Sequence, residues 1–274
     1  MIEPNTRNSQ PIWAPGRNGP DTPNTARVRD YWLGGTHHTA VDRHLADQFT
    51  LCAPHLPHLV RTHRAFLRRV VTHLVRTGVR QFLDLGSGMP TCGQVHEVAD
   101  RAEPGCRVVY TDLDPVVADE SRQLLAGWKD TAYLCADLRE PEQVLDAARP
   151  LLDLTQPVAV LAIDVLHFVS DSADPARLLA GYANGLGPRT HIAVSHTCPD
   201  ERMDDALRLF SDIYAQPLPS FHFRPVGDAA RLLDGFEILE PGVVPTPLWR
   251  PDQVDVPDRN PEHFHGWAVL SRHK

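Results

Sequence analysis

Lysine is nearly absent from this chain of 274 residues, occurring only at Lys129 and Lys274. The other basic residues are arginines, a bias that points to a GC-rich genome and says little about chemistry. Positive charge is short overall: 27 Lys and Arg face 35 Asp and Glu, for a net charge of −8. Nucleic-acid binders draw much of their affinity from cationic contacts with phosphate, so no nucleic-acid partner is expected. Five cysteines are scattered without paired spacing, as suits free thiols in a reducing cytoplasm rather than a disulfide framework. No apolar run approaches the ~18 residues of a membrane span, and the N-terminus lacks the pattern of a signal peptide. No membrane partner is therefore expected either. What is present, 42% hydrophobic residues, can bury one sizeable core, so one α/β domain with an N-terminal extension is expected.

Positions 1–25 are rich in Pro, Asn, Gly and Thr and read as a flexible segment. Positions 26–78 read as helical: Ala26 to Leu33 behind an Asn24 or Thr25 cap, Ala40 to Phe49, and an amphipathic helix from about Leu59 to Arg76. From Val79 to the C-terminus, strands and helices alternate, which is the signature of a parallel sheet covered on both faces. Strands are expected at 81–84, 107–111, 132–136, 158–163, 191–195, 236–239 and 265–270. The proline-crowded stretch from Gly242 to Asn260 reads as loop.

The stretch QFLDLGSGMPT, Gln81 to Thr91, is a buried strand running into a glycine turn that feeds a helix expected from Thr91 to Ala102. Glycines there allow positive φ and let a ligand approach the main chain. The third glycine of a dinucleotide fingerprint would fall on Thr91, which counts against a nucleotide-dependent oxidoreductase. Instead Asp84-x-Gly86-x-Gly88, with Ser87 between the glycines, resembles the first motif of class I S-adenosylmethionine methyltransferases. Asp84, Asp112, Asp137 and Asp164 each fall at the carboxyl end of a successive expected strand, the edge where open α/β sheets bind ligands. Asp112 follows Gly88 at close to the ~20-residue offset of a carboxylate that grips ribose hydroxyls. Asp137 and Leu138 suit an adenine, the carboxylate taking the exocyclic amine. Leu113 and Val165 join the candidate cofactor contacts. One such aspartate would be an ordinary loop residue; four in series after a glycine turn point to a nucleoside cofactor.

ARVRDYWLGG, VDR at 41–43, RAFLRR at 64–69, VVYTDLDPVV, ADLREPEQVL, VLHFVSD and LEPGVVP then make a more specific set. On these motifs the chain, from about Thr25 onward, resembles the actinobacterial S-adenosylmethionine-dependent methyltransferases long catalogued as a domain of unknown function. It departs from that pattern at His63 and Gln94, where asparagine is usual, and at THHTA. The resemblance implies a Rossmann-like class I fold, a seven-stranded mostly parallel sheet with helices on both faces, and an N-terminal helical lid at 26–78 over a core at 79–274. It also implies S-adenosylmethionine as cofactor and a small-molecule methyl acceptor. Tyr31 and Gly34 would close on the ligand, and Arg64, or Arg27, would pair with the methionine carboxylate.

Methyl transfer needs alignment and exclusion of water more than a protein nucleophile, because the sulfonium already activates the methyl group. A hydroxyl acceptor would benefit from a base near neutral pKa, and His167 and His196 are the candidates beside the cofactor edge. Other constellations fall short. His96-Glu97 lacks the second histidine of H-E-x-x-H, and Cys52, His55, His58 and His63 match no recognised zinc spacing. Ser195-His196 has no G-x-S-x-G elbow. Two alternatives remain beside a methyltransferase: a cofactor-binding protein without turnover, and the less favoured oxidoreductase. Oligomeric state and the acceptor atom are not legible.

Overall fold

A computed structural model describes residues 22–214, 220–255 and 258–274. Positions 1–21 of the expected N-terminal segment lie outside these. Three helices come first: α1 (Thr25–Trp32), α2 (Ala40–Cys52) and α3 (Leu56–Arg76). Asn24 caps α1 by accepting hydrogen bonds from the Ala26 and Arg27 amides. α3 begins earlier than its apolar pattern suggests because Pro57 fits the first helical turn, where no amide partner is needed.

The core alternates β1 (Gln81–Leu85), α4 (Val95–Ala102), β2 (Arg107–Asp112), α5 (Pro115–Leu124), β3 (Thr131–Cys135), α6 (Pro141–Ala148), β4 (Ala159–Ile163), α7 (Pro175–Leu186) and β5 (His191–Thr197). α8 (Glu201–Tyr214), α9 (Ala229–Leu232), β6 (Phe236–Ile238), β7 (Val244–Pro245) and β8 (Gly266–His273) follow. The sheet order is β3-β2-β1-β4-β5-β8-β6. The first five strands are parallel, and β8 runs antiparallel to β5 and β6. These seven match the expected count; the two-residue β7 adds an eighth along β8, inside the stretch expected to be loop. α4 starts at Val95 rather than Thr91, because Cys92 and Gly93 take φ of 50° and 71°, outside the helical region.

Strand residues alternate between two cores, as a sheet covered on both faces requires. Phe82, Val108, Tyr110, Leu161 and Ala193 pack toward α3 and α4. Leu83, Val109, Val160, Ala162 and Val194 pack toward α6 and α7. A third cluster joins the N-terminal helices to α8: Val28, Leu45, Ala46 and Phe49 meet Phe210. The Phe49 and Phe210 rings stack with centroids 4.0 Å apart. Because β2 and β4 leave β1 on opposite sides, the chain reverses direction beside β1, and the carboxyl ends of β1 and β4 open a crevice there.

Candidate functional site

At the end of β1 the chain turns through Gly86 and Gly88, both with positive φ (58° and 64°). A Cβ on Gly86 would lie 2.3 Å from Val165 Cγ2, so the turn admits no side chain without displacing Val165. The Ser87 amide donates to the Thr111 carbonyl, and the Gly88 amide donates to Asp112 Oδ2 at 3.1 Å. Asp112 Oδ1 accepts from the Asp114 amide at 3.0 Å. Two amides thus fix the Asp112 carboxylate at the mouth of β2, and each of its oxygens keeps a lone pair for another donor.

The turn floors a cleft of about 430 Å³. Of the sequence candidates, Arg64, Asp84, Gly86, Ser87, Gly88, Asp112, Leu113, Asp137, Leu138, Asp164 and Val165 line it. Thr25, Ala26 and Arg29 of α1 form part of its wall. Asp137 is also clamped by its neighbour: Arg139 Nε lies 2.9 and 3.0 Å from its two oxygens. Burial raises the Asp84 carboxyl to about 7, with Arg64 pulling it down and Asp112 pushing it further up. Arg64 itself carries a fully enclosed Nη1 with no hydrogen-bond partner among the described residues. A buried cation with an unmet donor in a cleft is a receptor for an anionic group.

Asp164 ends β4 with φ of 50°. Its Oδ2 accepts from Arg29 Nη1 at 2.9 Å and its Oδ1 from Thr197 Oγ1 at 2.8 Å. His63 Nε2 and His167 Nδ1 approach the same Oδ1 at 3.6 and 3.4 Å. Burial works against its charge, but His63, His167 and Arg29 together hold the carboxyl well below the usual carboxylate range. Burial keeps His63 neutral down to about 4, so at neutral pH its contact with Asp164 brings no charge. His63 Nδ1 lies 2.8 Å from Ser195 Oγ, which locks the ring in place.

A second cavity of about 120 Å³ adjoins the first and shares Thr25, Arg29, Asp164 and Phe168 with it. Its remaining lining is mostly apolar and aromatic, and it includes His167.

Four candidates sit elsewhere. Tyr31 lines neither cavity; its hydroxyl donates to Asp47 Oδ1 at 3.1 Å, and its ring meets His38 edge-on. Gly34 is exposed past the end of α1 with φ of 81°, the conformation of a helix-terminating glycine. Arg27 is consumed by Asp42 at 2.9 Å and Glu120 at 3.2 Å, leaving Arg64 as the free cation of the two. His196 is fully buried on the face of β5 opposite to Ser195 and Thr197, with Nε2 3.2 Å from Arg224 Nη1. Burial and neighbouring charge push it down to about 3, and it lines neither cavity. Conversely, Arg29, Thr197 and the Asp164 contact of His63 carried no sequence signal, since each depends on a distant segment arriving at β4. Among the described residues, no group of three or more His, Cys, Asp or Glu is arranged to hold a metal ion.

A model of the S-adenosyl methyltransferase family matches residues 13–274. A DUF574-family protein from Streptomyces avermitilis is 32% identical, with a TM-score of 0.82 over 92% of this chain and 98% of its own. A protein from Thermobifida fusca described as a methyltransferase is 34% identical, with a TM-score of 0.82 over 94% of this chain and 98% of its own. The trans-methyltransferase CalH in complex with SAH is 16% identical over 80% of this chain and 59% of its own, with a TM-score of 0.50, a likeness of fold. No match was found among the curated proteins.

Proposed function

Because this chain belongs to the S-adenosyl methyltransferase family, we propose that it moves the methyl group of S-adenosylmethionine directly to an oxygen or nitrogen of a small molecule. It is a class I methyltransferase enzyme with S-adenosylmethionine as cofactor. The observation that carries the assignment of the site is the enclosed, unpartnered Arg64 Nη1 in a cleft floored by the Gly86–Gly88 turn. The donor set fits the cofactor part by part. Arg64 would take the methionine carboxylate, Asp112 the ribose hydroxyls, and Leu113, Asp137 and Leu138 the adenine. Gly86, Ser87, Gly88 and Val165 would form the close floor, and Asp84 would face the amino-acid end.

When bound, the sulfonium supplies an activated methyl group and leaves as a neutral thioether. The chain's own part is to align the acceptor, exclude water and take a proton from it. α1 would act as the lid, since Thr25, Ala26 and Arg29 wall the cleft and the Arg29–Asp164 pair ties the helix to the end of β4. His167 lies beside Asp164 in the wall of the adjoining cavity, with Nδ1 otherwise unpartnered. It is the group suited to accept the acceptor's proton, Asp164 holding the ring.

Calorimetry with S-adenosylhomocysteine and with NAD tests the site. Binding of the former, with NAD much weaker, is expected. Asp112→Ala should weaken it by roughly 1–3 kcal/mol. A preference for NAD, or an unchanged affinity in a folded variant, overturns the assignment. An acceptor screen with labelled S-adenosylmethionine tests turnover; tight binding with no product from any acceptor would favour a non-catalytic binder.

A further inference from the structure

The second cavity has a lopsided chemistry. Trp32, Phe49, Phe221 and Phe223 give it aromatic walls, and Val28, Leu59 and Val60 add aliphatic surface. Apart from Thr25, its polar groups, Arg29, Asp164, His167 and Thr197, cluster around one carboxylate, the one it shares with the cofactor cleft. Phe168 lies on the shared wall with 46% of its surface exposed, large for an aromatic at the junction of two cavities. Phe221 and Phe223 are parallel with centroids 5.6 Å apart, and Phe168 stands 5.7 Å from Phe221 at 49°. These three rings offer π faces and edges to an incoming ring.

Size narrows the occupant. An apolar cavity of ~150 Å³ admits benzene. A cavity of about 120 Å³ is therefore the size of about one six-membered ring. Charge narrows it further. The Arg29–Asp164 pair is internally compensated, so the polar end offers no net positive charge to a carboxylate or phosphate. It does offer carboxylate and imidazole acceptors to a neutral O–H or N–H group.

We propose that this cavity binds the methyl acceptor, and that the acceptor is an uncharged single aromatic ring bearing a hydrogen-bond-donating substituent, phenol being the simplest member. The ring sits among Trp32, Phe168, Phe221 and Phe223, and its substituent faces Asp164 and His167 at the wall shared with the cleft. The assignment rests on the larger cleft being the cofactor site.

Titration of the full-length protein with 4-fluorophenol, followed by fluorine NMR, tests it with and without saturating S-adenosylhomocysteine. 4-Fluorocyclohexanol, similar in size and polarity but lacking π faces, is the control. Saturable binding of the phenol is expected, roughly tenfold tighter than the control, the margin that aromatic contacts add beyond area. Leu207→Trp and Val60→Phe, which fill the cavity from α8 and α3, should each abolish phenol binding and leave S-adenosylhomocysteine binding, read by calorimetry, intact. Absent phenol binding, equal binding of the control, or binding that survives cavity filling in a folded variant overturns the acceptor assignment while the cofactor reading stands. Absent S-adenosylhomocysteine binding overturns the cofactor reading, and the acceptor role of the cavity with it.

Discussion

Arg64→Met separates the two ends of the cofactor. Arg64 reaches the cleft from the middle of α3, and its Nη1 is enclosed with no hydrogen-bond partner. Burial penalises its charge, with Asp84 the main group favouring it. The guanidinium is therefore under-satisfied in the free protein, and an incoming carboxylate would complete it. Methionine keeps the apolar stem of the side chain to about the Nε position and removes the guanidinium with its charge and donors. Truncating one member of a desolvated charge pair costs ~2–5 kcal/mol, which is roughly 30-fold to a few thousandfold in Kd. S-adenosylhomocysteine, which has the carboxylate, should suffer this loss by calorimetry. 5′-Methylthioadenosine, which lacks the amino-acid portion, should bind wild type and variant within about threefold. Urea unfolding of the free proteins should differ by less than about 1 kcal/mol, since no made hydrogen bond of Nη1 is lost. Equal losses for both ligands would mean that Arg64 acts on the shape of the cleft. No loss for either would remove it from the site.

Three further outcomes are expected. Gly86→Ala should destabilise the free protein by roughly 2–4 kcal/mol in urea, combining left-handed strain with the clash against Val165. Val165→Ala in the same chain should recover about 1 kcal/mol or more of it, and strict additivity of the two would refute the clash. The Asp84 carboxyl, raised to about 7 chiefly by burial, titrates near 4 in the unfolded chain. Between those values the unfolded state binds fewer protons, so this group's contribution falls as pH rises and levels off above 7. Asp84→Asn should therefore gain on wild type by ~1.4 kcal/mol per pH unit across that window in ligand-free unfolding, and a pH-independent difference would refute the raised value. Finally, saturating S-adenosylhomocysteine should slow amide exchange in Val28 to Gly35, while Asn24→Ala, which removes the cap of α1 and its 2.8 Å bond to Asp114, should speed exchange in the free protein. Exchange indifferent to ligand would show that α1 is packing and not a lid.

The parallel strands were legible because both of their faces are buried, which leaves near-continuous apolar runs such as VAVLAI. Their expected boundaries lie within a residue or two of the observed ones. β7 was not legible, because two residues carry no period of their own; Val244 and Pro245 become a strand only because β8 offers an edge to pair with. The start of α4 was misplaced for a different reason. Nothing in its chemistry marks Cys92 as left-handed, a conformation more at home in glycine, aspartate or asparagine.

Phase explains which site residues could be read in advance. The aspartates could be placed at the cleft because the end of a parallel strand is a defined place at the ligand edge, whatever the packing around it. A side chain on an element's flank depends instead on rotation, which the sequence carries only weakly. On α1, Thr25 and Arg29 are one turn apart and share the cleft face, whereas Tyr31, two positions beyond Arg29, has rotated some 200° toward α2. On β5, Ser195 and Thr197 face α3, and His196 between them must face the other way, into Arg224. The same alternation gives Asp164 its surroundings. A buried carboxylate is tolerated only if charge and donors reach it, and here they arrive from α1, α3 and β5 at once. Removing Arg29 would leave Asp164 facing two histidines, one of them neutral above about pH 4, so its carboxyl should then rise as burial takes over. The charge state of the wall between the two cavities is thus set by a helix lying far from it in the sequence.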